Sequence, residues 1–468
     1  MNVEVKDTIF FIYYKNIIYF LAMKKETKKK GLKKSEQQSL DELKTLMSER
    51  VQTRFNSITG KYECRWLERM EDDQPKEVLG SKEFAREWHD MTDREENTLW
   101  RLVCPKGERR MSDMLSVLYS DASPRYNPLR KYINDTLAYI DYETDAIAEL
   151  ASHVHVTLPR TADDEGPGEA DYLRRCREEQ ERFTDHFKRW LVNMVASVLF
   201  DEVVNHTVLV LIGEQGTYKS TFFARLLPPE LRQYYMVKTD NTVLGKDDRL
   251  QLAKNMLICL EEIDALSVKE LNQLKAMITM PVIKDRPAYA RNYVNLPRIA
   301  SLCATGNNES FLNDPTGSRR WLPFLIDHID DPRTYDIDYE KLYSQAFYLA
   351  GIGTYRYWFT QDEIKVQNEH NKRFETECIE EQLIMKYYAQ PTSSDTGVYL
   401  TSAEILEKIN GGIKKPLSTV KIGRIMKKLG YSVRKTNGHY KYHVNELQLI
   451  DIQQNRRNEI TELDSRPF

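Results

Sequence analysis

TVLVLIGEQGTYKST (207–221) is the stretch on which the reading of this chain turns. Its first six residues form a short, continuous run of apolar and β-branched side chains, the pattern of a strand buried on both faces of a parallel sheet. Two glycines follow, and then a lysine that opens a helix. Gly213 and Gly216 let backbone N–H groups wrap an anion, and the helix start adds a favourable dipole. The spacing assigns nucleotide contacts to Gly213, Gly216, Thr217, Lys219, Ser220 and Thr221. Lys219 would reach the β- and γ-phosphates, and the Ser220 hydroxyl would enter a Mg²⁺ shell. Tyr218 stands where a glycine is usual, at a cost of about 1 kcal/mol if the backbone takes positive φ there. The plainer alternative is a glycine-containing turn with an incidental lysine.

Three further segments extend the pattern. MLICL (256–260) and ASLCAT (300–305) are two more buried-strand runs, and with the helical stretches between them they predict a three-layer α/β core of the P-loop NTPase kind. In LICLEEID (257–264) the strand delivers Glu261 and Glu262 to its end, one carboxylate for the Mg²⁺ shell and the other for the attacking water. Glu261 is assigned to the metal, and Asp264, deeper in the loop, ranks below both. CATGNN (303–308) ends a strand at Asn307, an amide suited to sensing a γ-phosphate. TGSRRW (316–321) carries Arg319 and Arg320, unranked candidates for neutralising transition-state charge, in their own site or a neighbouring subunit's. Singly, each segment reads equally well as a strand-end turn or a solvated loop. Their order and spacing from Lys219 to Arg320 point to Mg²⁺-dependent hydrolysis of a nucleoside triphosphate.

Outward from this core the chain divides into six segments. Residues 1–109 are expected to be a mainly helical N-terminal region with no assigned role, 110–177 are helical, 178–334 hold the ATPase core, 335–394 form a helical linker, 395–450 a winged helix-turn-helix, and 451–468 a tail. VQTRFNSITGKYECRWL (51–67) predicts a hairpin turning at Thr59-Gly60, and residues 130–157 read as helical. A long amphipathic helix is expected from Tyr172 to Phe200. SVRKTNGHYKYHV (432–444) predicts a second hairpin, with its turn at Asn437-Gly438.

Net charge is −3, with 68 Lys and Arg against 71 Asp and Glu, so the chain as a whole is no nucleic-acid-coating protein. The distribution is uneven. Thr401 to Asn445 holds ten Lys and Arg against two acids, a net of +8. Lys421, Arg424 and Lys428 share one side of its second helix, a face for the DNA major groove, with Arg434 and Lys435 in the wing against the backbone. Between the acidic strand end and Asn307, Lys275, Lys284, Arg286, Arg291 and Arg298 alternate with Tyr289 and Tyr293, a pattern suited to single-stranded DNA in a pore. Both segments also read as solvated basic surface or, for the winged helix, a protein-binding module.

Composition is 41% hydrophobic and 30% charged, which excludes a disordered or collagen-like chain. The six cysteines are isolated, with no His at zinc-ligand spacing, so structural zinc and disulfides are not expected and a cytoplasmic setting fits. The apolar run Ile9–Met23 is broken by Lys15 and Asn16 and precedes a lysine-rich stretch. Neither a spanning helix nor a secretory signal is expected there, and Met23 is an alternative start.

GEQGTYKST, CLEEID, RPAYAR, ATGNN and FLNDPTGSRRW together resemble the virulence-associated protein E family, P-loop ATPases of phages, plasmids and integrated elements, similar to superfamily 3 helicases. The resemblance covers about residues 110–330. It implies an AAA+-like core in a ring, typically a hexamer, moving on DNA with ATP and Mg²⁺ during replication of the element, beside a separate primase. It maps Lys219 and Ser220 to Walker A, Glu261 and Glu262 to Walker B, Asn307 to sensor 1, and Arg319 or Arg320 to the finger. The expected function is an ATP-dependent DNA helicase or translocase. The alternatives are a nucleotide-switched DNA-binding regulator with little turnover, and a nucleotide kinase.

Overall fold

The computed structural model describes residues 34–67, 87–107, 109–161, 164–238, 246–285, 294–312, 318–351, 354–376, 379–391, 397–410, 418–436 and 438–447. These residues divide into two compact units, one within 1–309 and 316–372 and the other within 310–315 and 373–468. The apolar run Ile9–Met23 lies outside them.

The first unit begins with α1 (Lys34–Ser48), β1 (Val51–Asn56), β2 (Lys61–Trp66), β3 (His89–Asp90), α2 (Asp93–Val103), α3 (Met111–Leu118) and β4 (Arg125–Tyr126). The strands form a small sheet in the order β3-β2-β1-β4. The expected hairpin is present: Val51 faces Trp66, Asn56 faces Lys61, and Gly60 takes φ +74° in the turn. Leu43, Val51, Cys64, Leu99 and Met114 close a core beneath it. This region is therefore mixed rather than mainly helical.

The chain continues through α4 (Pro128–Asp135), α5 (Ala146–Ser152), β5 (Val154–Val156), α6 (Glu169–Leu199), β6 (Val208–Ile212), α7 (Lys219–Arg225), β7 (Tyr235–Lys238), α8 (Lys246–Lys254), β8 (Leu257–Leu260), α9 (Val268–Ile278), β9 (Val282–Asp285), β10 (Val294–Pro297), β11 (Ser301–Gly306), β12 (Trp321–Ile329), α10 (Tyr339–Gly351) and α11 (Gln361–Asn371). Six strands form the central sheet in the order β5-β12-β6-β11-β8-β7, all parallel except β5. The three apolar runs read from the sequence are β6, β11 and β8, side by side. Every residue of each is buried, which is why they lack alternation. The expected long helix is α6, 31 residues, and its Trp190 Nε1 donates to the Leu302 carbonyl at 3.1 Å.

Two strands depart from the sequence reading. Val154–Val156 lies within the stretch expected to be helical but pairs with β12. β12 follows the two arginines directly and contains Pro323, a residue that ordinarily argues against a central strand. The ladder shows how the proline is tolerated. β12 pairs with β6 through 321–325 and with β5 only from Ile326 onward, so Pro323 lies where one neighbour alone uses its backbone.

The second unit contains α12 (Ile379–Tyr387), β13 (Tyr388–Ala389), β14 (Val398–Thr401), α13 (Ser402–Ile409), α14 (Thr419–Lys428), β15 (Val433–Thr436) and β16 (His439–Glu446). β15 and β16 form the expected hairpin, with Gly438 at φ +80°, and β14 and β13 add to β16. Ile384, Ile405, Ile422, Ile425, Met426 and Val444 share one core.

Candidate functional site

The C-terminal ends of the parallel strands carry the phosphate-loop residues, the paired glutamates and Asn307 singled out by the sequence. β6 runs into the Gly213–Tyr218 loop, and the Gly213 N–H donates to the Gly306 carbonyl at the end of β11 (3.2 Å). A Cβ on Gly213 would meet Ile326 Cγ1 at 2.7 Å and its carbonyl oxygen at 2.9 Å, so the close passage of β12 requires glycine here. Gly216 takes φ +89°, and Tyr218 sits in the left-handed region at φ 61°, ψ 16°. The positive φ anticipated at Tyr218 is thus present, with the strain it implies for a residue bearing a Cβ.

Lys219 is 7% exposed and its ammonium is fully engaged. Nζ donates to the carbonyls of Gly213 (2.7 Å) and Glu214 (2.6 Å) and lies 3.3 Å from Thr217 Oγ1 and 3.4 Å from Asn307 Oδ1. Burial lowers its pKa from the ordinary lysine value, and the carboxylates of Asp264 and Glu214 oppose that shift. Ser220 is half-buried and Thr221 exposed on the first turn of α7.

At the end of β8, Glu261 is half-buried and its N–H donates to Lys238 O at 3.1 Å, while Glu262 is exposed with φ 52°. Tyr218 and Glu262 are the two non-glycine residues with positive φ among the described residues, and both flank this site. Strain of that kind, of order 1–3 kcal/mol per residue, persists where surrounding structure imposes it and clusters at functional sites.

Asp264, ranked last from the sequence, has a specific place. Its carboxylate accepts from the backbone N–H groups of Asn307 (3.4 Å) and Asn308 (3.1 Å), and a Cβ on Gly306 would lie 3.1 Å from its Oδ1. It therefore holds the end of β11 and contributes negative potential at Lys219. Only the TGNN glycine, which admits the close approach, hinted at this in the sequence.

Arg319 and Arg320 lie elsewhere. They precede Trp321, which pairs with Val208, the first residue of β6, whereas Lys219 follows its last. At roughly 3.3 Å per residue the ladder alone separates the two ends by about 13 Å. The arginines instead approach His206, whose pKa is lowered first by burial and then by Arg298, Arg320 and Arg319.

The basic segment also resolves differently from its reading. Arg298 is 1% exposed; its guanidinium donates to the carbonyls of Ala300 and Asn205 (3.2 Å each), Met277 and Ile278. It braces the core and does not face a nucleic acid. Lys275 is half-buried on α9 and Lys284 exposed on β9, whereas Arg286, Tyr289, Arg291 and Tyr293 lie outside the described residues. In the second unit, Lys421 donates to Glu380 (2.7 Å), and Lys428 pairs with Glu381 and Glu375 (3.1 Å each). Two cations of the three-residue stripe are neutralised within their own unit, while Arg424, Arg434 and Lys435 are exposed.

A family profile described as Virulence-associated protein E-like domain matches residues 170–376, the segment carrying α6, the loop after β6 and the acidic and asparagine strand ends. Residues 170–376 are a virulence-associated protein E-like domain. Two apo structures of the NrS-1 C-terminal region, each 13% identical, align with TM-scores of 0.40 and 0.39, covering 88% and 87% of this chain and 100% and 99% of theirs. Likeness at that level carries no residue roles across. No curated protein sequence matches the chain. No helix among the described residues is long and apolar enough to cross a membrane.

Proposed function

We propose that the virulence-associated protein E-like domain is the P-loop ATPase core of an oligomeric DNA helicase or translocase serving replication of a phage, plasmid or integrated element. The observation that supports this most directly is the meeting of Lys219, Asn307 and Asp264 at the strand ends, brought together from three separate segments. The donor set fits the implied ligands. Ser220 and Glu261 offer hard oxygens of the kind Mg²⁺ takes, and Lys219 brings an ammonium to the same loop. Bound Mg²⁺ supplies charge neutralisation on the phosphate oxygens. In this reading Lys219 neutralises the β- and γ-phosphates, Glu262 orients the attacking water, and Asn307 reports the γ-phosphate.

Arg319 and Arg320, displaced to the far end of the sheet, act in this reading on a neighbouring subunit's nucleotide, which accounts for the ring. The winged-helix reading of the second unit assigns DNA contacts to Arg424, Arg434 and Lys435, with Lys284 on β9 facing single-stranded DNA. A nucleotide-switched regulator remains the second reading, and strain at Tyr218 is the observation that favours it.

ATPase rate with and without single-stranded DNA, beside Lys219→Ala and Glu262→Gln, separates the two. Turnover by the wild type that DNA stimulates and both variants lose supports the motor. A wild-type rate no higher than that of Lys219→Ala, with nucleotide binding intact, leaves the regulator. Mixing Lys219→Ala with Arg319→Ala/Arg320→Ala subunits tests the shared site, because only a ring with fingers in trans regains activity on mixing.

A further inference from the structure

The small N-terminal sheet brings together three side chains whose chemistry the motor does not use. Cys64 lies on β2, His89 on β3 and Glu95 on the first turn of α2. Cys64 Sγ lies 3.5 Å from His89 Nε2 and 3.6 Å from Glu95 Oε1, and His89 Nε2 lies 2.5 Å from Glu95 Oε1. Cys64 is fully buried, and the His89 and Glu95 side chains are only 12% and 15% exposed.

We propose that Cys64, His89 and Glu95 bind a single Zn²⁺ ion that fastens β2, β3 and α2 together. A thiolate, an imidazole and a carboxylate form a zinc donor set. With ordinary bond lengths, a tetrahedral ion sets S···N and S···O separations of about 3.5 Å and an N···O separation of about 3.3 Å. Both sulfur separations already match, and the imidazole–carboxylate pair needs to open by about 0.8 Å.

The surrounding groups hold each donor atom in place. The His89 Nδ1 lies 2.9 Å from the Glu87 carbonyl oxygen, which only accepts, so Nδ1 carries the proton and Nε2 is the atom presented to Cys64 and Glu95. Glu95 uses Oε2 to accept from the Thr92 N–H (3.0 Å) and hydroxyl (2.8 Å), while Trp66 Nε1 donates to Oε1 at 3.0 Å. The carboxylate is thereby oriented from both sides, as the partners of metal-ligating groups are. Water would complete the coordination. Without a cation, Nε2 has to carry a second proton to face the carboxylate, and the cluster is then a hydrogen-bonded imidazolium–carboxylate hub.

Co²⁺ titration of the chelator-treated, untagged full chain distinguishes these states. The expected result is one equivalent bound with a thiolate-to-cobalt charge-transfer band, displaced by Zn²⁺, and one zinc per chain by elemental analysis of protein grown with zinc. Cys64→Ser should lose the charge-transfer band, His89→Ala should lose stoichiometric binding, and Trp66→Phe should weaken binding roughly tenfold. His155, His328 and Asp330 also converge, but they contain no sulfur, so an ion there yields no such band. Absence of the band in the wild-type protein overturns the proposal and leaves the hydrogen-bonded hub. That titration decides the question even if a variant does not fold.

Discussion

Lys219 Nζ and Asn307 Oδ1 lie 3.4 Å apart although 88 residues separate them in the chain. The ammonium at the start of α7 and the amide at the end of β11 are therefore parts of one polar centre. Their expected losses differ. Lys219→Ala should abolish nucleotide affinity, because it removes the only cation in the loop after β6. Asn307→Ala should leave affinity largely intact and lower turnover by roughly 100-fold, the scale of losing one preorganised polar group beside developing charge. Nucleotide titration and steady-state ATPase rates on both variants check this, and equal loss of affinity would contradict it.

Asp264 acts on the same centre through the backbone. Its two oxygens hold the N–H groups of Asn307 and Asn308, so Asp264→Ala leaves both without that partner. Both N–H groups are exposed to water, so a stability loss of about 0.5–1.5 kcal/mol is expected, together with a fall in turnover similar to that of Asn307→Ala. The double variant should be no slower than the worse single one, since both changes act on one element. Additive losses would show that Asp264 acts independently of Asn307.

Tyr218 occupies a left-handed backbone position at φ 61°. Tyr218→Gly removes the Cβ conflict, and stability should rise by up to about 1 kcal/mol, seen as a higher denaturant midpoint at unchanged slope. If strain restrains the loop, turnover rises as well. A lower midpoint would mean that the ring's own packing outweighs the backbone cost.

The legible parts of the molecule are those whose signal is local. β6, β8 and β11 announce themselves as apolar runs because burial on both faces removes alternation, and the loop after β6 carries its glycines in sequence order. β12 does not, because Pro323 and the charged residues at its end imitate a loop, and its strand character rests on ladder partners found only in the fold. Arg298 reads as a surface cation because three of the four carbonyls that satisfy it come from distant segments. Asp264 ranks low because its partners arrive from another strand. Cys64, His89 and Glu95 follow no metal-ligand spacing, since three separate elements bring them together.

His186 on α6 is buried between the rings of Phe324 and Phe359, and burial holds its pKa down at about 3, with His370, Arg182 and Arg189 adding to the shift. The folded chain thus keeps this imidazole neutral, while the unfolded chain protonates it below its ordinary value near 6.5. Above that pH the group contributes nothing to pH dependence. Below it the unfolded state binds the extra proton, so stability falls as pH drops from 6.5 towards 3, by about 2 kcal/mol at pH 5. His186→Phe should remove that component, and denaturant unfolding at pH 7 and pH 5 on both proteins measures it. An unchanged difference between the two pH values would assign the acid sensitivity elsewhere.

Lys421 and Lys428 face acids of their own unit, and among the described residues Arg424 has no such ion pair. Neutralising them should therefore separate stability from DNA affinity. Glu380 and Glu381 are 8% and 6% exposed, so Lys421→Ala and Lys428→Ala leave nearly buried carboxylates without these cations and should lower the unfolding midpoint with little effect on DNA binding. Arg424→Ala and the pair Arg434→Ala/Lys435→Ala should weaken duplex binding and reduce its salt dependence, by about one unit of slope for each phosphate left without its cation. Binding isotherms at several salt concentrations, beside thermal unfolding, read both effects. Loss of affinity in Lys421→Ala at unchanged stability would show that DNA draws this lysine away from Glu380, and it would restore the full three-cation stripe to the interface.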